Sequence, residues 1–256
     1  MPGKRVLVTG MSGIIGGAVR RALEGRHELT ALNRRDVPGV RCFRVDITDM
    51  AAIQPAFEGQ EVVVHLAAYL KPDWAGQMAV NIGGTYNVFE AARKAGVKRI
   101  VFASSGATVM GYESEPPYSY LAKGDYAAPP VRAGGWPLLT HDVSLKPNGL
   151  YATTKAWAEA LGRYYSDHHG ISVICLRYGR VRAEDRPVDT RDWAAWCSQR
   201  DAGQMVKCCV EAPDSVRHDI FYVASDNLWG FRDLKHAQQV VGYVPQDRAE
   251  DWRGKP

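Results

Sequence analysis

The chain has 256 residues, 46% of them apolar and 23% charged, and carries a net charge of +4. These values exclude a disordered, collagenous or low-complexity chain, and one domain of this size buries roughly three quarters of its unfolded surface without needing disulfides or a structural metal. The positive excess comes from scattered arginines, with no basic run suited to nucleic acid. Cys42, Cys175, Cys197, Cys208 and Cys209 form no CxxC pair and no zinc-like Cys/His spacing, and their odd number argues against a disulfide framework, so all five read as reduced. The sequence opens Met-Pro-Gly-Lys-Arg and enters a strand at once, without the apolar stretch of a signal peptide, and no run approaches the ~18 residues of a membrane span. The expected setting is cytoplasmic, with neither a membrane nor a nucleic acid as partner.

In chain order, Arg5 to Thr9 predicts a strand, Gly10 to Gly16 a tight turn, and Ile14 to Glu24 a helix with apolar residues at three and four spacing. Further strands are predicted at Glu28 to Asn33, Arg41 to Val45, Glu61 to Ala68, Arg99 to Ser104 and Ser172 to Tyr178, mostly with helices between them. This alternation predicts an α/β fold, a Rossmann-type doubly wound parallel sheet. Val62-Val63-Val64 and Ile100-Val101-Phe102 are apolar at successive positions, as central strands covered on both faces should be. From 111 to 150 the regularity stops among six prolines and several aromatics, which predicts a long packed loop serving as a lid or substrate wall, or as an oligomer contact. After residue 180 come a helix at Arg200 to Ala212, a strand at Asp219 to Ala224 and a helix at Arg232 to Val241. The chain thus divides into a dinucleotide-binding region, 1–180, and a small C-terminal substrate-binding appendage, 181–256, over the sheet edge where open α/β folds bind ligands.

Gly10, Gly13 and Gly16 follow the first strand directly, so the backbone can turn sharply and approach a diphosphate facing the next helix's N-terminus. The spacing is GxxGxxG, which arises by chance in ~0.2 chains of this length, so its placement between strand and helix carries the weight. At the end of the second strand, where a carboxylate would take the ribose hydroxyls of NAD, the chain has Asn33-Arg34-Arg35. A guanidinium there can clamp a 2′-phosphate, which predicts NADP as the preferred cofactor over NAD. Tyr151 and Lys155 stand at i and i+4 on a predicted helix, and an ammonium beside a phenol should lower its pKa toward working pH for proton transfer. Ser104-Ser105 ends a central strand, where either hydroxyl can meet a substrate oxygen. His141, His168, His169, His218 and His236 show no mutual metal spacing, and no metal site is expected.

With Gly10 to Gly16, Asn81, Ser104-Ser105, Tyr151 and Lys155 in this order, the chain resembles the extended short-chain dehydrogenase/reductases, the NAD-dependent epimerase/dehydratases. His65-Leu-Ala-Ala68, Asn81 to Asn87 and Leu176-Arg-Tyr-Gly179 are similar to that family's recurring segments. The resemblance makes Tyr151 the acid/base, Lys155 the holder of the nicotinamide ribose and Ser105 the group that orients the reacting oxygen. It also implies a cofactor site of Gly10, Ser12, Gly13, Ile14, Ile15, Gly16, Asn33, Arg34, Arg35, Asp46, Ile47, Leu66, Ala67, Ala68, Asn81, Lys155 and Tyr178, with Asp46-Ile47 near the adenine. A homodimer through helices near Ala79 to Lys94 and Leu150 to Tyr165 follows from it as well.

Within the family, Phe102 to Ser105, Trp196 to Asp201 and Trp229 to Asp233 look most like the uronate dehydrogenases, which oxidise a sugar acid at its anomeric carbon. That likeness implies a substrate site of Ser104, Ser105, Gly106 and Arg191, with Arg191 gripping a carboxylate. The chain departs from them in having Gly106-Ala107 where they carry Asn-His, a longer proline-rich loop, and Arg34 in place of an acid. The leading reading is an oxidoreductase for a polyol, sugar or sugar acid. A nucleotide-sugar epimerase or dehydratase and a non-enzymatic NADP-sensing regulator are the alternatives.

Overall fold

The computed structural model describes residues 3–254. Seven strands form one sheet in the order β3-β2-β1-β4-β5-β6-β7, and every pairing is parallel. They are β1 (Arg5–Thr9), β2 (Glu28–Asn33), β3 (Arg41–Arg44), β4 (Val62–His65), β5 (Arg99–Ser105), β6 (Ser172–Tyr178) and β7 (His218–Val223). The predicted doubly wound sheet is therefore present. The chain winds outward from β1 to β3 and then returns to place β4 on β1's other side, so the crevice between the carboxyl ends of β1 and β4 is where such a fold binds ligands.

Period-two alternation assigns the strand side chains to two separate cores. Val6, Val8, Val62, Val64, Ile174 and Leu176 face one side, against α1 (Ile14–Leu23) and the helix Gln199–Glu211. Leu7, Val63, Ile100, Phe102 and Cys175 face the other, against Thr85–Lys94 and Leu150–His169. Gly203 lets the first helix pair approach closely, since a Cβ there would lie 2.6 Å from the Ala18 carbonyl oxygen.

Three sequence expectations are corrected. First, β4 ends at His65 instead of Ala68: the Leu66 amide still reaches the Thr9 carbonyl, but the Ala67 amide turns from the ladder to the Thr9 hydroxyl. Second, the segment 111–150, packed as expected, is not loop throughout. It holds the end of a 3-10 helix (Gly106–Ser114) and the short helices Tyr118–Lys123 and Pro129–Arg132. Its aromatics pack on the C-terminal region in a third cluster around Leu121, Leu139, Tyr222 and Phe231, with Tyr126 stacked on Trp229 at 4.0 Å. Third, the helix expected from Arg232 starts only at Lys235, where Asp233 accepts the Lys235 amide. Arg232 is left in extended chain bridged to Leu139. The strand placed in the C-terminal appendage is β7, continuous with the sheet.

Candidate active site

A cleft of about 900 Å³ runs along the carboxyl ends of the strands. One end is built from glycines. Gly10 has φ +73°, and a Cβ there would lie 2.8 Å from the Ala67 amide nitrogen; a Cβ on Gly16 would lie 2.5 Å from the carbonyl oxygens of Gly10 and Met11. Only glycine lets α1 begin this close to the turn. Ser12, Gly13, Ile14 and Ile15 also line this end, at the N-terminus of α1, where free amides and the helix dipole favour an anion. Such a cradle fits the diphosphate of a dinucleotide.

Next along the cleft come Asn33, Arg34, Arg35, Asp46 and Ile47. Asn33 donates from Nδ2 to Ser12 Oγ at 2.9 Å and to the Arg35 carbonyl at 2.8 Å, which ties the end of β2 to the glycine turn. The Arg34 and Arg35 side chains are exposed and have no hydrogen-bond partner among the described residues. Asp46 accepts the Thr48 amide and hydroxyl in a local turn.

Leu66, Ala67 and Ala68 form the wall opposite and hang on a buried network. The Thr9 hydroxyl oxygen accepts both the Leu66 and the Ala67 amides at 3.2 Å, so its own proton goes to His65 Nδ1, 2.7 Å away. His65 is therefore neutral, with the proton on Nε2 facing Thr85 Oγ1 at 3.2 Å. Complete burial, aided by the charge of Lys155, pushes its pKa down to about 3.

At the other end Ser105, Tyr151 and Lys155 converge. Ser105 accepts the Ala107 amide on Oγ at 3.1 Å and hydrogen-bonds Tyr151. Lys155 is buried, donates to the Ala103 carbonyl at 2.6 Å and lies 5.6 Å from the Tyr151 ring centre. Here one expectation is corrected. Burial pushes Tyr151 up to about 12, only partly offset by its bond to Ser105, and burial pushes Lys155 down to about 7. Desolvation dominates here, and the phenol stays protonated at neutral pH.

Three candidates sit differently from the expectation. The Asn81 side chain is not in the cleft wall. It is buried, accepts the Tyr69 amide at 2.7 Å and donates to the Tyr69 carbonyl at 2.9 Å, holding the chain that follows Ala68. Ser104 directs its hydroxyl away, to Glu159 at 2.6 Å, because successive residues of β5 alternate in direction and only Ser105 faces Tyr151. Glu159 also forms a buried bidentate pair with Arg177. Tyr178 borders the cleft, but its ring packs in the core beside Cys197 and Cys209 and its hydroxyl has no partner among the described residues.

Beyond Ser105 the cleft opens into a chamber of about 80 Å³ bordered by Gly106, Met110, Arg180, Arg191 and Arg232. Arg191 is not free to grip a ligand with its whole fork, since Nε and Nη2 are clamped on Glu113 at 2.6 and 2.7 Å. Arg232 shares that carboxylate through Nη2 at 3.1 Å. Burial tends to raise Glu113, but Arg191 and Arg232 prevail and hold it below the usual carboxylate value. Arg180, Arg182, Glu113 and Arg232 escaped the sequence reading. The cluster Arg177 to Arg182, just past β6, and the segment Trp229 to Asp233, which contains Arg232 and looks like the uronate dehydrogenases, were the available signals.

The fold also gathers His141, Asp219 and His236, which their separation in sequence concealed, with ligand atoms within 4.8 Å of one another. His236 Nε2 lies 2.7 Å from Asp219, and the two imidazoles stack at 3.9 Å and 10°. Lone pairs lying in two nearly parallel planes do not converge on one ion, so this arrangement is a hydrogen-bonded ring stack.

A sequence model of the NAD dependent epimerase/dehydratase family matches residues 6–224. The NAD-dependent glucose-6-phosphate dehydrogenase of Haloferax volcanii is 33% identical over 98% of this chain and 97% of its own length. The L-arabinose 1-dehydrogenase (NAD(P)(+)) of the same organism is 33% identical over 96% and 97%. The crystal structure of uronate dehydrogenase from Agrobacterium tumefaciens superposes with a TM-score of 0.82 at 30% identity, over 99% of this chain and 88% of that one.

Proposed function

The chain belongs to the NAD dependent epimerase/dehydratase family, the extended short-chain dehydrogenase/reductases, and we propose that it is an NADP-preferring dehydrogenase of a sugar or sugar acid. The observation that carries this reading is the convergence of Ser105, Tyr151 and Lys155 at one end of a cleft whose other end is a glycine cradle. When bound, the nicotinamide supplies the hydride acceptor or donor. Ser105 already accepts the Ala107 amide, so its proton is available to orient a substrate oxygen, while the Tyr151 phenol gives or takes that oxygen's proton. Lys155, fixed on the Ala103 carbonyl, is the group that holds the nicotinamide ribose and supplies positive charge beside the phenol.

Gly10, Ser12, Gly13, Ile14, Ile15 and Gly16 hold the diphosphate in this reading, Asp46 and Ile47 border the adenine, and Leu66, Ala67 and Ala68 back the ribose. Arg34 and Arg35, unpartnered where β2 leaves no carboxylate, take the 2′-phosphate and favour NADP over NAD. Arg191, Ala195 and Arg232 bring the region from 181 onward to the substrate side, where they close, with residues of the strand ends, a chamber of about 80 Å³ that suits a monosaccharide tail better than a nucleotide. Exposed Tyr86, Leu150 and Tyr164 favour a homodimer through Thr85–Lys94 and Leu150–His169. A cytoplasmic setting fits five cysteines with no disulfide among them.

The test is a spectrophotometric screen of aldoses, aldose phosphates, uronic acids and simple ketones with NAD and NADP. Stoichiometric cofactor reduction with a sugar product is expected. Sugar interconversion with no net change in cofactor would establish an epimerase instead, and cofactor binding with no turnover of any kind would leave the regulator.

A further inference from the structure

Arg232 is a buried cation without enough partners. Its side chain is 3% exposed. A guanidinium carries five N–H donors. Here only Nη2 has an acceptor, Glu113, while Nε and Nη1 are buried with none among the described residues. The Phe231 ring centre lies 4.7 Å from the guanidinium carbon. Leaving such donors unsatisfied inside a protein is costly, and cores seldom tolerate it without a function.

Arg232 borders the chamber that shares Ser105 with the catalytic cleft. Gly106 makes room for it, because a Cβ at that position would lie 3.3 Å from Nε and 3.0 Å from the Tyr178 carbonyl oxygen. The charges around the chamber do not balance. Arg180 and Arg182 are paired with Asp189 and Asp192, and Arg191 with Glu113, which Arg232 only shares. Four guanidiniums against three carboxylates leave one positive charge, and Arg232 is the member with unused donors.

We propose that Arg232 recognises an anionic group on the substrate, a carboxylate or a phosphate, seated in the chamber beside Gly106 while the reacting oxygen lies at Ser105 and Tyr151. In this arrangement Arg191 is a positioning residue. By clamping Glu113 it holds the acceptor that orients Arg232, and the ligand's oxygens meet Nε and Nη1. The substrate is then a charged aldose in preference to its neutral parent. This rests on the dehydrogenase reading for the reaction, although anion binding itself does not require turnover.

The experiment compares the unmodified protein, Arg232→Met and Arg232→Lys on three aldoses: glucose, glucose 6-phosphate and glucuronate. Arg232→Met should reduce kcat/KM for whichever charged aldose is used by roughly 30-fold more than for glucose, as expected for losing a charge-assisted bond, and Arg232→Lys should restore part of that preference. Separately, inorganic phosphate and malonate are titrated calorimetrically into the unmodified protein saturated with NADP, so that the cofactor's own phosphate sites are filled. Binding of either anion that is lost in Arg232→Met supports the site, and whichever binds more tightly tells phosphate from carboxylate. Should Arg232→Met fail to fold, competition of these anions with the sugar in the unmodified protein decides the matter. Equal effects of Arg232→Met on charged and neutral aldoses, or no anion binding to the saturated protein, would overturn the proposal while leaving the dehydrogenase reading intact. Anion binding that depends on Arg232 without turnover of any aldose would uphold the site and sink the dehydrogenase.

Discussion

Acid should destabilise this protein through His65, beneath the cleft wall. The ring accepts the Thr9 proton on Nδ1, so protonating that nitrogen sets a donor against a donor whose oxygen already takes two amides. With its pKa at about 3 in the fold against 6.5 when unfolded, the unfolded chain binds the additional proton throughout that interval. Stability is then fully present above pH 6.5 and is lost as pH falls toward 3, by about 1.4 kcal/mol for each pH unit inside the window. From pH 7 to pH 5 the His65 contribution amounts to roughly 2 kcal/mol. Urea unfolding of the unmodified protein and of His65→Gln, each at pH 7 and pH 5, isolates it, since the other titrating groups cancel in the difference of differences. The variant starts less stable, having lost part of the Thr9 network, but its pH dependence should be shallower by about 2 kcal/mol. Equal losses in the two proteins would refute the buried neutral imidazole.

Tyr151→Phe removes the proton donor and little volume, so turnover should fall by about 100-fold or more while cofactor affinity, read by fluorescence titration, stays close to its original value. Near-normal turnover would move the acid/base elsewhere. Arg34→Asp should reverse the cofactor preference, because charge-assisted bonds to the 2′-phosphate contribute roughly 1.5–3 kcal/mol; equal dissociation constants for NAD and NADP in the unmodified protein would show Arg34 to be merely solvated. Glu159→Ala strands the buried Arg177 charge and releases the Ser104 hydroxyl, at an expected cost of about 3–5 kcal/mol in urea unfolding, and a cost below 1 kcal/mol would contradict a buried ion pair.

The sheet and the glycine cradle were legible because they depend on local signals. Apolar runs such as Val62 to Val64 and Ile100 to Phe102, rich in β-branched residues, match strands covered on both faces, and Gly10 and Gly16 mark a turn that no side chain would fit. Ser105, Tyr151 and Lys155 were legible as residue types in order along the chain, and their meeting follows once β5 and the helix after the loop are neighbours. What the sequence could not provide is the direction and company of individual side chains. Ser104 and Ser105 are equivalent in sequence, yet the pleat turns one to Glu159 and the other to Tyr151. Tyr151 and Lys155 promised a lowered phenol pKa from charge alone, but burial is a property of the packed fold and sends it upward. The Arg191, Glu113 and Arg232 cluster joins positions up to 119 residues apart, held by an aromatic cluster between the segment 111–150 and the C-terminal region. Nothing within one turn or one strand specifies such a contact. Local chemistry therefore determined the sheet and the glycine cradle, whereas the unbalanced charge beside Gly106 was decided only when distant segments packed and left Arg232 short of partners.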